Sequence, residues 1–171
     1  DNTTTGGNKR GQYAVDLQLG PRVNATEVAS GQYAITAGGR ANTASAQYST
    51  VTGGFQNKAA NIGASIAGGS FNVALGQNAC VGGGTLDTAI GNASVVSGGE
   101  NNTAGGTYST VGGGENNTAG GIYSTVGGGY TNMASNTLSV VGGGSTNTAS
   151  GIYSTVSGGI GNTASDLYST V

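Results

Sequence analysis

Apolar residues recur along this chain at a fixed interval of 15 positions. One column is Val or Ile at every step: Val51, Ile66, Val81, Val96, Val111, Val126, Val141, Val156 and Val171. The other is Ala throughout: Ala44, Ala59, Ala74, Ala89, Ala104, Ala119, Ala134, Ala149 and Ala164. No insertion or deletion breaks this register between residues 24 and 171. Equal repeat lengths predict structural units that stack on one another at constant geometry.

Glycines and polar residues keep the same register. A Gly pair follows each Val or Ile, as Gly113 and Gly114 do after the Val at position 111. An Asn, or at one step an Asp, stands two residues before each Ala: Asn42, Asn57, Asn72, Asp87, Asn102, Asn117, Asn132, Asn147 and Asn162. We expect this column to be an internal hydrogen-bonding ladder, in which Asp87 accepts the same bonds as its Asn neighbours.

Two short segments of each repeat have the alternation of β-strands. Tyr-Ser-Thr-Val and Asn-Thr-Ala-Ser favour extended backbone, and the Gly pairs supply corners between them. Alternation puts Ser109 and Val111 on one side of a strand and Tyr108 and Thr110 on the other. We assign the Val, Ser and Ala columns to the interior. The sequence therefore predicts an all-β protein, a parallel β-roll or β-helix solenoid with one 15-residue repeat per coil.

The predicted interior is thin, because each coil adds little more than one Val and one Ala to it. So small a core does not offset the conformational entropy lost when a whole coil becomes ordered. A second buried surface is therefore expected, and the outward side that carries Tyr and Thr is the candidate. A symmetric oligomer hides such a surface. We predict a homotrimer, intertwined or side by side around the long axis.

The N-terminal part of the chain departs from the repeat. Residues 13–16, Tyr-Ala-Val-Asp, resemble the strand segment, but Tyr13 precedes Tyr33 by 20 positions rather than 15. Pro21 lies in the extra stretch, where a strand is disfavoured. We interpret residues 1–23 as an irregular cap or connector and residues 24–171 as about nine coils. The chain stops at the end of a predicted strand, so we interpret it as a fragment of a longer protein.

Composition narrows the classes of partner. The chain has 36 Gly among 171 residues, no His, and only 7% charged residues. All five basic residues lie within the first 58 positions, so no basic stripe runs along the repeats, and we expect no nucleic-acid partner. No apolar run approaches the length of a membrane span, so we expect no membrane insertion.

The repeats resemble a known pattern. The opening DNTTTGGNKRGQYAVDLQ and the tandem unit NTAGGIYSTVGGG resemble Gly/Asn/Thr/Ser repeat regions of bacteriophage tail fibres. The coils of residues 24–171 are similar, more distantly, to the head repeats of trimeric autotransporter adhesins, which are typically a residue shorter. The resemblance implies a trimeric virion fibre, outside the cell and directed towards the host, that positions itself on or contacts the host surface.

The most distinctive candidate site is a column of Tyr in one phase of the repeat. Its members are Tyr33, Tyr48, Tyr108, Tyr123, Tyr153 and Tyr168, and Leu138 joins them. Gly63, Asn78 and Ala93 interrupt the column in the middle coils. Aromatic rings in a row can pack against a neighbouring chain, stack on a bacterial surface glycan, or simply face solvent. We interpret the Tyr column first as a contact between subunits, with a glycan as the other possible partner.

Catalytic chemistry has no comparable signal. Glu100 and Glu115 stack one period apart, a spacing that a glycosidase pair could use, but we interpret both as solvated surface residues. Cys80 replaces the Thr of its strand, between Ser65 and Val95, and is expected to be a small packed side chain. The Gly-rich corners lack the Lys-Ser/Thr of a phosphate loop. We expect no enzyme activity, no cofactor and no metal.

Two other functions fit a solenoid. A rank of Thr (Thr50, Thr110, Thr125, Thr155 and Thr170) suggests an ice-binding β-solenoid, although the rank is interrupted and no strand carries Thr-x-Thr. A polysaccharide depolymerase also uses such folds, but the chain lacks acidic clusters. We therefore predict a structural and adhesive module of a phage tail fibre, either shaft or receptor-binding region, with ice binding as the alternative.

Overall fold

The computed structural model describes residues 10–18 and 27–171. In these ranges the chain contains no helix and winds into a parallel β-solenoid of about nine turns with about 15 residues in each. Every strand is two residues long. The predicted solenoid and its coil length are confirmed. The strands between corners are shorter than the four-residue segments of the sequence suggested.

The first sheet contains ten strands that lie parallel and in register from coil to coil. Each carries one outward residue and, from the third strand of the sheet onwards, the buried Val or Ile. In order of stacking the strands are β1 (Val15–Asp16), β2 (Ile35–Thr36), β4 (Thr50–Val51), β6 (Ser65–Ile66), β8 (Cys80–Val81), β10 (Val95–Val96), β12 (Thr110–Val111), β14 (Thr125–Val126), β16 (Val140–Val141) and β18 (Thr155–Val156).

The second sheet has nine parallel strands, each ending on the buried Ala. They are β3 (Thr43–Ala44), β5 (Lys58–Ala59), β7 (Val73–Ala74), β9 (Thr88–Ala89), β11 (Thr103–Ala104), β13 (Thr118–Ala119), β15 (Met133–Ala134), β17 (Thr148–Ala149) and β19 (Thr163–Ala164). A third ladder of single-residue bridges completes each coil, formed by Arg40, Phe55, Ser70, Thr85, Glu100, Glu115, Tyr130, Ser145 and Ile160. Each coil is therefore three-sided.

Three corners join these sides, and each needs a residue with positive φ. The second Gly of each pair forms one corner, as Gly114 does with φ of 86°. The other two use residues with side chains: the Tyr column, where Tyr108 has φ of 59°, and the residue before each Asn, where Asn116 has φ of 58°. Tyr108 is thus a corner residue and not the start of a strand. The sequence indicated only the Gly corners.

The interior contains the columns that alternation placed there. Val111, Ser109 and Ala119 are buried, while Tyr108 is exposed and Thr110 is half-buried. The same arrangement recurs along the array, so the buried Val and Ala side chains form one continuous core along the stacked coils. The predicted division into inner and outer columns is confirmed except at the last residue of the Val column: Val171 is exposed, because no further coil stacks on it in the described residues.

The Asn column is the polar part of this interior. From residue 57 onwards, the backbone N–H of each member of the column donates to Oδ1 of the member one coil earlier, as Asn117 does to Asn102 at 3.0 Å. Its Nδ2 donates to a corner carbonyl of its own coil and to one of the next coil, at 2.9 Å to Gly113 and 2.8 Å to Gly129. The side chain therefore ties three coils together, which is the internal ladder predicted from the sequence.

The described N-terminal residues continue the solenoid, although the sequence spacing here is 20 residues rather than 15. Strand β1 pairs with β2 at an offset of 20 residues, and Asp16 Oδ1 accepts a hydrogen bond from the Thr36 hydroxyl at 2.7 Å. Gln18 then bonds the first Asn of the ladder: Oε1 accepts from the Asn42 backbone N–H, and Nε2 donates to the Asn42 carbonyl at 2.9 Å. Residues 1–9 and 19–23 of the predicted cap, with Pro21, lie outside the described residues.

Candidate functional site

The Tyr column lies on the outer surface, at the corner that leads into the first sheet. Hydrogen bonds within and between coils hold this corner, since the Tyr123 N–H donates to the Thr107 carbonyl of the previous coil at 2.9 Å and the Ser124 hydroxyl donates to the Gly121 carbonyl at 2.8 Å. A non-glycine residue with positive φ is uncommon and is tolerated where the surrounding structure fixes it. The backbone therefore presents each Tyr side chain at a fixed position.

The rings stack along the direction in which the coils stack. Tyr108 and Tyr123 have centroids 4.8 Å apart and planes 8° apart, and Tyr153 and Tyr168 are 5.0 Å and 18° apart. Tyr48 stacks on Tyr33 at 5.3 Å. The predicted site residues Tyr48, Tyr108, Tyr123, Tyr153 and Tyr168 are thus all exposed and share one corner, but they belong to three separate stacks.

Tyr13 belongs to the first of these stacks, although the 15-residue period does not include it. Its ring lies 5.0 Å from that of Tyr33, with 15° between the planes. The strand-like segment at residues 13–16 was the signal in the sequence for this coil. Because Tyr13 precedes Tyr33 by 20 residues, the 15-residue period did not include it in the Tyr column. The first stack therefore spans three coils: Tyr13, Tyr33 and Tyr48.

An aliphatic column beside the Tyr column is a feature that our sequence analysis missed. The residue before the Tyr-column position is apolar in four coils, three times before a Tyr and once before Gly63. These residues, Ile62, Ile122, Ile152 and Leu167, are all exposed. Ile122 is 50% exposed and Tyr123 is 51% exposed, so both keep about half of their surface in solvent. The same 15-residue period carries this signal, in the position next to Tyr. Together the two columns form an apolar corner, which we call the Tyr/Ile corner.

Each stack leaves one face of each end ring without an aromatic neighbour. Tyr48 is such an end ring, and the next residue of its column is Gly63, which has no side chain. The amide of Asn78, one coil further on, occupies the space where a Cβ of Gly63 would lie. One face of the Tyr48 ring therefore looks towards a glycine and a side-chain amide, which is the combination of apolar face and polar group that a sugar ring could use.

A second exposed aromatic group lies on the side made by single-residue bridges. Phe55 and Phe71 meet edge to face, with centroids 5.4 Å apart, and the Arg40 guanidinium lies 5.8 Å from the Phe55 centroid. The Arg-to-aromatic geometry is that of a cation–π contact. The sequence does not mark this cluster, because its members occupy two columns whose other residues are polar in most coils.

The residues considered for chemistry lie on two different sides of the coil. Glu100 and Glu115 are neighbours in the bridge ladder, both exposed, and Asn116 donates to Glu115 Oε1 at 3.1 Å. Cys80 lies between Ser65 and Val95 in the first sheet, as predicted, and is half-buried. Within residues 10–18 and 27–171, no three His, Cys, Asp or Glu side chains are grouped as a metal site would require.

Asp87 is the most unusual polar residue of the interior. It is buried at an Asn position of the ladder, and its Oδ2 is one of three buried side-chain atoms in the described residues without a hydrogen-bond partner. Burial raises the pKa of Asp87, hydrogen bonds from the backbone and side chain of Asn102 lower it, and the charge of Glu100 raises it, with burial the largest of these effects.

Among the described residues, no helix is long and apolar enough to span a membrane. Comparison with known proteins adds no family: no protein-family model matches the sequence, and no curated protein is significantly similar to it.

Proposed function

We propose that this chain is a rigid structural and adhesive module that assembles as a homotrimer through its Tyr/Ile corner. The observation that carries the proposal is the recurrence of exposed Tyr, Ile and Leu side chains at one corner of a regular solenoid, on both sides of the middle coils that contain Asn78 and Ala93. Exposed apolar surface of this extent, repeated along one edge, is a feature of protein interfaces rather than of a free monomer surface.

The geometry of the corner fits a partner that has the same repeat. Coils stack at about 4.8 Å, the spacing of neighbouring strands. A second copy placed alongside, with its coils parallel, presents its own Tyr and Ile at the same spacing. Tyr108 and Tyr123 form a stacked pair at this corner, and aromatic rings of one chain pack well against the rings or aliphatic side chains of another. A threefold axis parallel to the coil stack brings one corner of each chain together.

The thin core supports the same arrangement. Val111 and Ala119 are the apolar residues that one coil of the array buries, beside the polar Ser109 and Asn117. Association that removes Ile122 and Tyr123 from water adds larger apolar side chains to the buried set than the coil itself contains. The oligomer is therefore the state in which the coils that carry Ile, Leu or Tyr at this corner bury a substantial apolar surface.

The setting that we propose is a bacteriophage tail fibre, at the outside of the virion facing the host. Support for it comes from the resemblance of the repeat unit to phage fibre repeats and from the rod-like stacking of coils. In this setting the bacterial surface glycan is the adhesive partner, and the open ring face of Tyr48, beside Gly63 and Asn78, is the position for it. The proposed role needs no catalytic group and no cofactor.

Native mass tests the assembly first. Light scattering on a size-exclusion column should give three times 16.3 kDa, about 49 kDa. A folded species of 16.3 kDa would contradict the homotrimer and the use of the Tyr/Ile corner as an interface. A glycan array with the wild type and Tyr48→Asn tests adhesion separately. Signals lost in the variant, with native mass unchanged, would support Tyr48 as the contact. Equal signals for both proteins would contradict it.

Ice binding is the second candidate, and a column on the second sheet favours it. Thr43, Thr88, Thr103, Thr118, Thr148 and Thr163 occupy one outward column, and Thr103 is directly opposite Thr118 in neighbouring strands. The column is interrupted by Lys58, Val73 and Met133. A thermal-hysteresis measurement separates the candidates, since an adhesive fibre module should leave the freezing point of its solution equal to the melting point.

A further inference from the structure

The Asn ladder defines what each of its positions needs. Asn102 Nδ2 donates to the carbonyl of Gly98 in its own coil at 3.1 Å and to the carbonyl of Gly114 in the next coil at 2.9 Å. Its Oδ1 accepts the backbone N–H of Asn117 at 3.0 Å. The inner side of each coil therefore offers two carbonyl acceptors and one backbone donor, and an amide side chain satisfies all three.

Asp87 satisfies only one of these three groups, the backbone donor. Its backbone N–H donates to Asn72 Oδ1 at 2.9 Å, and its Oδ1 accepts from the backbone N–H of Asn102 at 2.8 Å and from Asn102 Nδ2 at 3.0 Å. Its Oδ2 has no partner, although the residue is completely buried. A carboxylate has no hydrogen to donate.

The unpartnered oxygen lies where the other coils have the amide nitrogen. A Cβ built on Gly84 would collide with Oδ2 of Asp87, and a Cβ on the corresponding Gly99 would approach Nδ2 of Asn102 to 2.7 Å. The carbonyls equivalent to those of Gly98 and Gly114 belong, around Asp87, to Gly83 and Gly99. In the ionised form, Oδ2 would therefore face two acceptors with no hydrogen between them. The protonated form supplies that hydrogen.

We infer that the stacking of the central coils depends on the protonation of Asp87. In the folded protein its carboxyl is a neutral acid whose Oδ2–H donates to the carbonyl of Gly83 or Gly99. Loss of that proton weakens the stacking of the coils around it. The proton transfer is a simple acid dissociation. Oδ2 releases the proton to solvent when the coils around Asp87 separate, and it accepts a proton again when they stack.

The charged surroundings support the neutral form. Residues 70–114, the coil of Asp87 with one coil on either side, contain no Lys or Arg, and Glu100 is their only other carboxylate. Cys80 and Tyr108 are the remaining titratable groups there, and both belong to outward columns. Lys58 lies in the coil before residue 70, on an outward position of the second sheet. No cation in this stretch is available to balance a buried carboxylate.

The sign of the pH dependence follows from the direction of the shift. Burial raises the pKa of Asp87 above the value of about 3.9 that an unfolded Asp has. The folded state therefore retains a proton that the unfolded state has already released. Stability from this group is fully present below about pH 4, falls as the pH rises towards the folded pKa, and is constant above it. One linked proton changes the unfolding equilibrium by at most about tenfold per pH unit in that window.

The experiment compares the wild type with Asp87→Asn and with Asp166→Asn, which removes the same charge from an exposed position. Hydrogen exchange of the Thr85 and Asn102 amides reports locally, because these amides donate to the Gly99 carbonyl and to Asp87 Oδ1. We expect protection of both amides to fall from pH 4 upwards in the wild type and in Asp166→Asn. In Asp87→Asn, protection should be higher at neutral pH and should lack that fall. Equal pH profiles in all three proteins would overturn the inference.

Infrared spectroscopy of the wild type gives a second readout that needs no unfolding. A protonated carboxylic acid has a C=O stretch separate from the carboxylate bands. At about pH 5, above the pKa of ordinary Asp and Glu, the folded wild type should retain one such band beyond the residual signal of exposed carboxyls. Asp87→Asn should lack it and Asp166→Asn should keep it. Identical difference spectra for the two variants would contradict a protonated Asp87, whatever the stability data show.

Discussion

Asn117 donates its backbone N–H to Oδ1 of Asn102 at 3.0 Å, and the same bond joins successive members of the column from residue 42 to residue 162. The bond crosses from one coil to the next, so it fixes the register of stacking at a corner where no sheet does so. Since Nδ2 of each Asn from residue 42 to residue 147 also donates to two corner carbonyls, the column supplies hydrogen bonds to polar groups of the glycine corners.

Asn117→Ala should therefore destabilise the central coils strongly. It removes the Asn117 donor from the Gly113 carbonyl and the acceptor of the Asn132 N–H, whereas the Gly129 carbonyl keeps the Glu115 N–H at 2.9 Å. Each polar group left without a partner costs about 1–3 kcal/mol. We expect a loss of about 2 kcal/mol or more in the free energy of unfolding, measured by denaturant titration. Thr118→Ala, which removes an outward side chain next to it, should cost less than about 1 kcal/mol. Similar losses for both variants would contradict the structural role of the ladder.

Strand β10 offers the same substitution on its two faces. Val96 is buried in the core and Val95 is outward, between Cys80 and Thr110. Val96→Asp places an unpaired carboxylate in the interior, which costs several kcal/mol, and we expect the array to lose its cooperative unfolding transition. Val95→Asp should fold with a small change in melting temperature. The comparison is made by circular dichroism during heating. An intact Val96→Asp would contradict the assignment of this column to the core.

The two glycines of one corner have different steric surroundings. Gly54 has φ of 87°, and a Cβ there would collide with the carbonyl oxygen of Gly69, whereas a Cβ on Gly53 meets no atom within 4 Å. Gly54→Ala should therefore destabilise the protein by more than the roughly 1–2 kcal/mol that a left-handed Ala costs alone. Gly53→Ala should be neutral or stabilising by up to about 1 kcal/mol. Thermal unfolding of the two variants measures the difference, and the reverse order would contradict the corner geometry.

Tyr123→Asn tests the Tyr/Ile corner without disturbing the backbone. Asn tolerates positive φ, and the column already contains it at Asn78 with φ of 56°. If the corner is the subunit interface, the variant should dissociate at higher protein concentration than the wild type, as followed by light scattering over a dilution series.

The matched control for this test is Tyr130→Ser. Tyr130 is 50% exposed in the bridge ladder, a column that contains Ser at Ser70 and Ser145. We expect its association to match that of the wild type. Equal dissociation of both variants would show that loss of exposed Tyr surface in general, and not the Tyr/Ile corner, weakens the oligomer.

Much of the fold could be predicted because every coil repeats the same environment. Val111, Ala119 and Asn117 each recur at 15-residue spacing, and parallel in-register stacking follows from equal coil lengths. The corners were less predictable, since Tyr108 and Asn116 adopt positive φ only because bonds between coils hold them there. Propensity alone does not favour that conformation for Tyr.

The sequence by itself determined the coil length, the stacking register and which columns face inwards, because alternation and a strict period specify these locally. Tertiary structure decided the features that depend on one coil meeting another. It added Tyr13 to the first Tyr stack, placed Gln18 against Asn42 across the irregular spacing, and left Oδ2 of Asp87 facing acceptors where its neighbours have a donor. Hydrogen-bond complementarity between coils is a property of paired atoms, and a periodic pattern of residue types does not contain it.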